Sequence, residues 1–148
     1  MWLGSIRWVV AVFALYGCTG SPRVVRVVTT DYALQAPDSV RAGATQFVVE
    51  NRGQVPHEMV IGLLRQGMGI REMVAAARED VRVRLLSDRY LDGPPYGVVF
   101  AWPGATSAGR MTVDLQKGQR YAILCTLRDS TKAPQHAALG MVRVLSVH

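Results

Sequence analysis

Cysteine is nearly absent from this 148-residue chain, which holds only Cys18 and Cys125. At most one disulfide is possible, and none remains if either thiol is used for something else. Lysine is as scarce, at Lys117 and Lys132, so the formal net charge of +6 rests on arginine. Those arginines are scattered and no run of them interleaves with aromatic residues, which argues against a nucleic-acid binder. Histidine is confined to His57, His136 and the terminal His148. No apolar run reaches the ~20 residues that a spanning helix requires. There is no internal repeat, low-complexity tract or second domain.

What is present is an ordinary globular composition, 49% hydrophobic and 19% charged, long enough to bury a proper core. The front differs from the rest. Arg7 precedes the apolar run Trp8 to Leu15, which fits the core of an export signal. Leu15-Tyr16-Gly17-Cys18 resembles the bacterial lipobox, in which the cysteine is acylated and becomes the mature N-terminus. The expected organisation is a signal peptide over 1–17, a short polar tether over 18–23 and one domain over 24–148, held at the extracytoplasmic face of a membrane by lipid on Cys18. Loss of Arg7 lowers the charge from +6 to +5. A mildly basic exported domain suits an acidic partner or an anionic surface.

Through that domain the pattern is mostly one of short strands. Val24 to Thr30 is β-branched, Asp31 to Ala36 reads as its continuation after a bend, and Thr45 to Glu50 places Phe47 and Val49 on one face. Asn51-Arg52-Gly53 turns the chain towards Pro56-His57, after which His57, Met59 and Ile61 share a strand face. The period then changes: Ile70, Met73, Val74, Ala77, Val81 and Leu85 follow helical spacing, predicting a helix over about 68–86. Strands resume at Tyr96 to Phe100, Arg110 to Leu115 and before Cys125. Seven or eight strands with frequent turns and one inserted helix predict an all-β, Greek-key sandwich.

The chemistry gathers between Tyr121 and Val147. Tyr121, Ile123 and Cys125 alternate with Ala122 and Leu124, so one strand face carries the thiol at its far end. Cys125, His136 and Met141 then offer a thiolate, an imidazole and a thioether from one short piece of chain, a soft donor set suited to copper. His57 is the upstream candidate for a second imidazole. Taken singly, each residue has a plainer reading: a buried inert thiol, structural histidines, and methionines filling the core, Met59 and Met111 among them. Met68 and Met73 near Met59 fit helical core spacing as well as Cu(I) capture. No acyl-transfer motif accompanies Cys125 and His136 as a nucleophile and base.

A strand, an Asn-Arg-Gly turn, Pro56-His57, a late Tyr121-x-x-x-Cys125, then His136 and Gly140-Met141 together resemble the cupredoxin, or blue copper, family. The likeness runs from about Val24 to Val147. It implies a cupredoxin-like sandwich binding one copper ion, with His57, Cys125 and His136 equatorial and Met141 axial. It also implies a monomeric single-electron carrier, not an enzyme, that meets exported redox proteins. His136 would be the ring nearest the surface, with Pro134, Ala137, Ala138 and Leu139 around it as an apolar docking patch. Two departures from the family pattern stand out. Ten residues lie between Cys125 and His136, longer than the usual loop, although extending a loop from four to ten costs only about 0.8 kcal/mol. Glu58 occupies the place of an asparagine that braces the cysteine loop. The alternatives are a metal-free envelope module of the same fold and a copper capture or delivery protein.

Overall fold

The computed structural model describes residues 21–79 and 89–148. The expected signal sequence, Cys18 and residues 80–86 of the expected helix lie outside the described residues. Among those described, β1 (Arg23–Thr30), β2 (Ala33–Gln35), β3 (Ser39–Val40), β4 (Gly43–Asn51) and β5 (His57–Leu63) precede helix α1 (Ile70–Arg78). After it come β6 (Gly97–Ala101), β7 (Met111–Leu115), β8 (Arg120–Leu124), a 3-10 turn η1 (His136–Leu139) and β9 (Val142–Val147). One sheet has the order β2-β1-β4-β7 and the other β3-β9-β8-β5-β6. The chain leaves the first sheet after β2, pairs β3 in parallel with β9, and returns as β4 in parallel with β1. This is a cupredoxin-like β-sandwich with an inserted helix. The count among the described residues is nine strands because the two-residue β3, set between turn signals, is too short to leave a sequence pattern.

The core between the sheets follows from alternation. Val25 and Val27, Phe47 and Val49, Met59 and Ile61, Tyr121 and Ile123 all point into one buried cluster that also holds Cys125 and Met141. Burying a side chain of this kind contributes about 1.5–3 kcal/mol. Tyr121 also accepts a bond from the backbone N–H of Gln116 at 3.0 Å, so its hydroxyl is satisfied inside. The opposite face of the larger sheet is covered over β5, β8 and β9. Val60, Ala122, Leu124 and Val142 form a second cluster there with Met73, Ala76 and Ala77 of α1 and Ala137 and Ala138 of η1. The helix is therefore a lid on the outside of this sheet, which explains why β8 is apolar at every interior position.

Strand polarity decides where the site falls. β8 runs towards Cys125, β5 starts at His57, β9 starts after Met141, and the antiparallel pairings Val60 with Leu124 and Leu124 with Val142 align these ends. In the other sheet β1 and β4 finish at the same pole, where Thr29 lies beside Asn51.

Candidate metal centre

His57 is delivered by a turn held from inside. Asn51 donates its Nδ2 to the carbonyls of Val55 at 2.8 Å and Ala101 at 3.1 Å, and its Oδ1 accepts the N–H of Gly53 at 2.9 Å. Asp31 accepts the N–H of Gln54 at 2.7 Å from the neighbouring sheet. A Cβ on Gly53 would stand 2.3 Å from that carboxylate oxygen, so the turn needs glycine for close approach. His136 arrives differently. The chain after Cys125 loops out and returns as η1, which ends on Gly140 at φ 111°, a left-handed position suited to glycine. Cys125 and its loop are then cross-tied: His136 N–H donates to Leu127 O and Ala137 N–H to Cys125 O, both at 2.8 Å. Cys125 N–H donates to Met141 O and Met141 N–H to His136 O, both at 3.1 Å. Arg128 spans the loop to the carbonyl of Ala133 at 2.6 Å. These bonds supply the rigidity that loop length alone would have removed.

The three side chains meet. His57 Nδ1 and His136 Nδ1 are 3.2 Å apart, and Cys125 Sγ lies 3.4 Å from the His136 nitrogen and 3.9 Å from that of His57. All three residues are buried, and among the described residues they are the group whose ligand atoms could share a metal ion. One ion shared by the three, with bonds of about 2.0 Å to nitrogen and 2.3 Å to sulfur, would need the donor atoms roughly 3–4 Å from one another. The observed triangle falls in that range. Met141 is fully buried in the same cluster as Cys125, its backbone bonded to both Cys125 and His136.

The rings' other nitrogens face carboxylates. His136 Nε2 lies 3.0 Å from Asp129 Oδ1, and His57 Nε2 lies 3.9 Å from Asp31 Oδ1. An ionised carboxylate can only accept, so His136 carries its hydrogen on Nε2 and presents a bare lone pair at Nδ1. If His57 then donates from Nδ1, its buried Nε2 is left without a partner, which is how it stands among the described residues. If His57 is turned to the other tautomer, two lone pairs face one another at 3.2 Å. Either way a buried nitrogen goes unsatisfied, at a cost of about 1–3 kcal/mol. A cation among the three atoms removes the conflict, and the carboxylate–imidazole–metal arrangement is the usual one for ligating histidines.

Burial, and next the nearby His136, lower the pKa of His57, keeping it neutral. Burial pushes the Cys125 thiol up to about 11, opposed by N–H groups of Glu58 and Leu127 that point at the sulfur. Glu58 N–H lies 3.4 Å from Sγ. The Glu58 carboxylate accepts from Thr126 N–H at 3.2 Å and from the Thr126 hydroxyl. Thus the glutamate performs the bracing that the resemblance assigns to asparagine.

The expected surface patch is corrected in part: Pro134 and Leu139 are exposed, but His136 is only 1% exposed and Ala137 and Ala138 are buried beneath α1, because the 3-10 turn packs its small residues onto the sheet. The outer edge of the ring is covered by Tyr32 from the β1–β2 turn, edge-on at 5.3 Å, while the Tyr32 hydroxyl donates to Asp129. Tyr32 holds φ at 64°, a left-handed conformation costing a bulky residue about 1–2 kcal/mol. Its hydroxyl first, and then His136, keep the Asp129 carboxyl below the usual carboxylate range. Tyr32, Asp31 and Asp129 carry no motif, so their part in the site is invisible in the sequence, whereas Asn51 belongs to the Asn-Arg-Gly turn that the sequence shows. An open apolar cleft of about 380 Å³ flanks the centre, with Val55, Pro56 and Leu127 on its walls and exposed Phe100 and Trp102 beside them.

Comparison with known proteins gives a likeness of fold. No family model matches the sequence, and no curated protein does. Among solved structures, an auracyanin of Roseiflexus castenholzii superposes with a TM-score of 0.54 at 18% identity, covering 87% of this chain and 99% of that one. Auracyanin A of Chloroflexus aurantiacus, described as a blue copper protein, gives 0.53 at 12% identity, covering 86% and 100%. A reduced rusticyanin gives 0.50 at 16% identity, covering 87% and 82%. The chain is similar to all three in having the cupredoxin fold.

Proposed function

We propose that this chain is a membrane-tethered, extracytoplasmic cupredoxin-like protein that binds one copper ion through His57, Cys125, His136 and Met141 and passes single electrons between exported redox proteins. The observation that carries the reading is the convergence of two imidazole Nδ1 atoms and a thiol sulfur at 3.2–3.9 Å, with both outer ring nitrogens turned to carboxylates. Copper so held supplies a Cu(II)/Cu(I) couple, with thiolate favouring the reduced ion and imidazole tolerating both. The chain's own part is to hold the donors still. Asn51 and Gly53 set His57, Glu58 braces Thr126 beside Cys125, and η1 fixes His136, so reorganisation between the two states stays small. The cleft beside Phe100 and Trp102, whose lining also includes His136 and Asp129, is the apolar approach for a partner. Attachment through Cys18 rests on the lipobox-like Leu15 to Cys18.

Copper loading of the purified full-length chain should give an intense visible thiolate band at one ion per chain, and Cys125→Ser should abolish it. A protein that stays colourless with Cu(II) overturns the electron-carrier reading. Tight Cu(I) binding without fast electron exchange would instead mark a capture or delivery protein. No copper uptake at all would leave a metal-free module.

A further inference from the structure

Asp129 lies in the exposed part of the loop between Cys125 and His136, yet both of its oxygens are engaged: one takes the His136 Nε2 at 3.0 Å, the other the Tyr32 hydroxyl. Tyr32 comes from the opposite sheet, adopts a left-handed backbone and sets its ring against that of His136. The outer edge of His136 is thus clamped across the sandwich by two residues. We infer that Asp129, held by Tyr32, is a positioning residue that fixes His136 with its hydrogen on Nε2, aims Nδ1 at the metal and strengthens it as a donor. The inference rests on the copper reading given above.

The physical reason is that a carboxylate accepting the imidazole N–H moves electron density towards the other ring nitrogen. A stronger donor favours Cu(II) over Cu(I), so the clamp lowers the reduction potential. It also denies the ring the swing towards solvent that a long loop would otherwise permit.

The test has two readouts on the full-length chain. In the metal-free protein, nitrogen NMR of labelled histidine should show His136 as the Nε2–H tautomer, and Asp129→Ala should shift it towards a mixture. In the copper-loaded protein, Asp129→Ala should weaken Cu(II) binding about 10–100-fold, the range typical for loss of such a partner, with a smaller change for Cu(I). Each tenfold difference between the two ions appears as a 59 mV rise in potential. Asp129→Asn should raise the potential as well, and Asp129→Glu should return part of the native value. An unchanged tautomer together with an unchanged potential in Asp129→Ala overturns the inference. If the native chain takes up no copper, the copper reading fails by itself, and the tautomer of the metal-free protein still decides whether Asp129 positions the ring.

Discussion

Cys125 and His57 are each held in their uncharged form by burial, and this gives the metal-free chain a defined window of pH stability. The thiol, at about 11 when folded against 9.0 when unfolded, binds its proton more tightly in the native state. Its contribution is complete below pH 9 and is lost as pH rises through about 11, where two decades of acidity amount to about 3 kcal/mol. His57, lowered from 6.5, acts in the other direction: its contribution is present above that value and disappears as pH falls below it. Metal-free protein should therefore be most stable between about pH 7 and 9, as denaturant midpoints across pH would reveal. Glu58 offers a second prediction. Its carboxylate takes two bonds from Thr126, so Glu58→Ala should cost about 1–3 kcal/mol and broaden any visible copper band, as urea melts and absorption spectra would register.

At the scale of elements, α1 and η1 form a two-piece cover on the outer face of the larger sheet. Met73 is 1% exposed and sits among Ala137, Ala138 and Leu124. Met73→Ala should destabilise the chain by about 2–5 kcal/mol. Because η1 carries His136, the same variant should weaken copper binding more than an equally destabilising change at Val25, which lies between the sheets. Calorimetry and copper titration on the two variants would separate the effects. Edge strand β6 behaves differently, with Val98, Phe100 and Trp102 left exposed along its outer side. Its inner residues Val99 and Ala101 do the packing, and Ala101 lies opposite His57 in the pairing.

For the molecule as a whole, the strand directions separate the start of the domain from the site. β1 begins at Arg23 beside Thr45 and runs about 23 Å to the pole holding His57 and Tyr32. Were Cys18 acylated as proposed, the few residues before Arg23 would reach at most about 18 Å and would keep the Arg23 end of the domain near the membrane. Copper should also stabilise the entire fold, since its donors come from β5, from the loop after β8 and from η1. At a hundredfold excess over the dissociation constant the gain is about 2.7 kcal/mol, and a melting temperature indifferent to copper would contradict the copper reading.

How much of this was legible in the chain itself differs from residue to residue. Alternation through Val25 to Val27, Phe47 to Val49 and Tyr121 to Cys125 is a local property of strands, so the sandwich and its core face follow from sequence. The helical period from Ile70 does likewise for α1, and the soft donors in the order His57, Cys125, His136, Met141 mark a candidate centre by their chemistry alone. Tertiary structure alone brought Tyr32, Asp31 and Asp129 to the outer nitrogens, turned Glu58 into a brace and drew His136 under cover. These are pairings between residues up to 97 positions apart. No local pattern encodes them, because which loop lies against which is decided only when two sheets and a helix bury their apolar faces together.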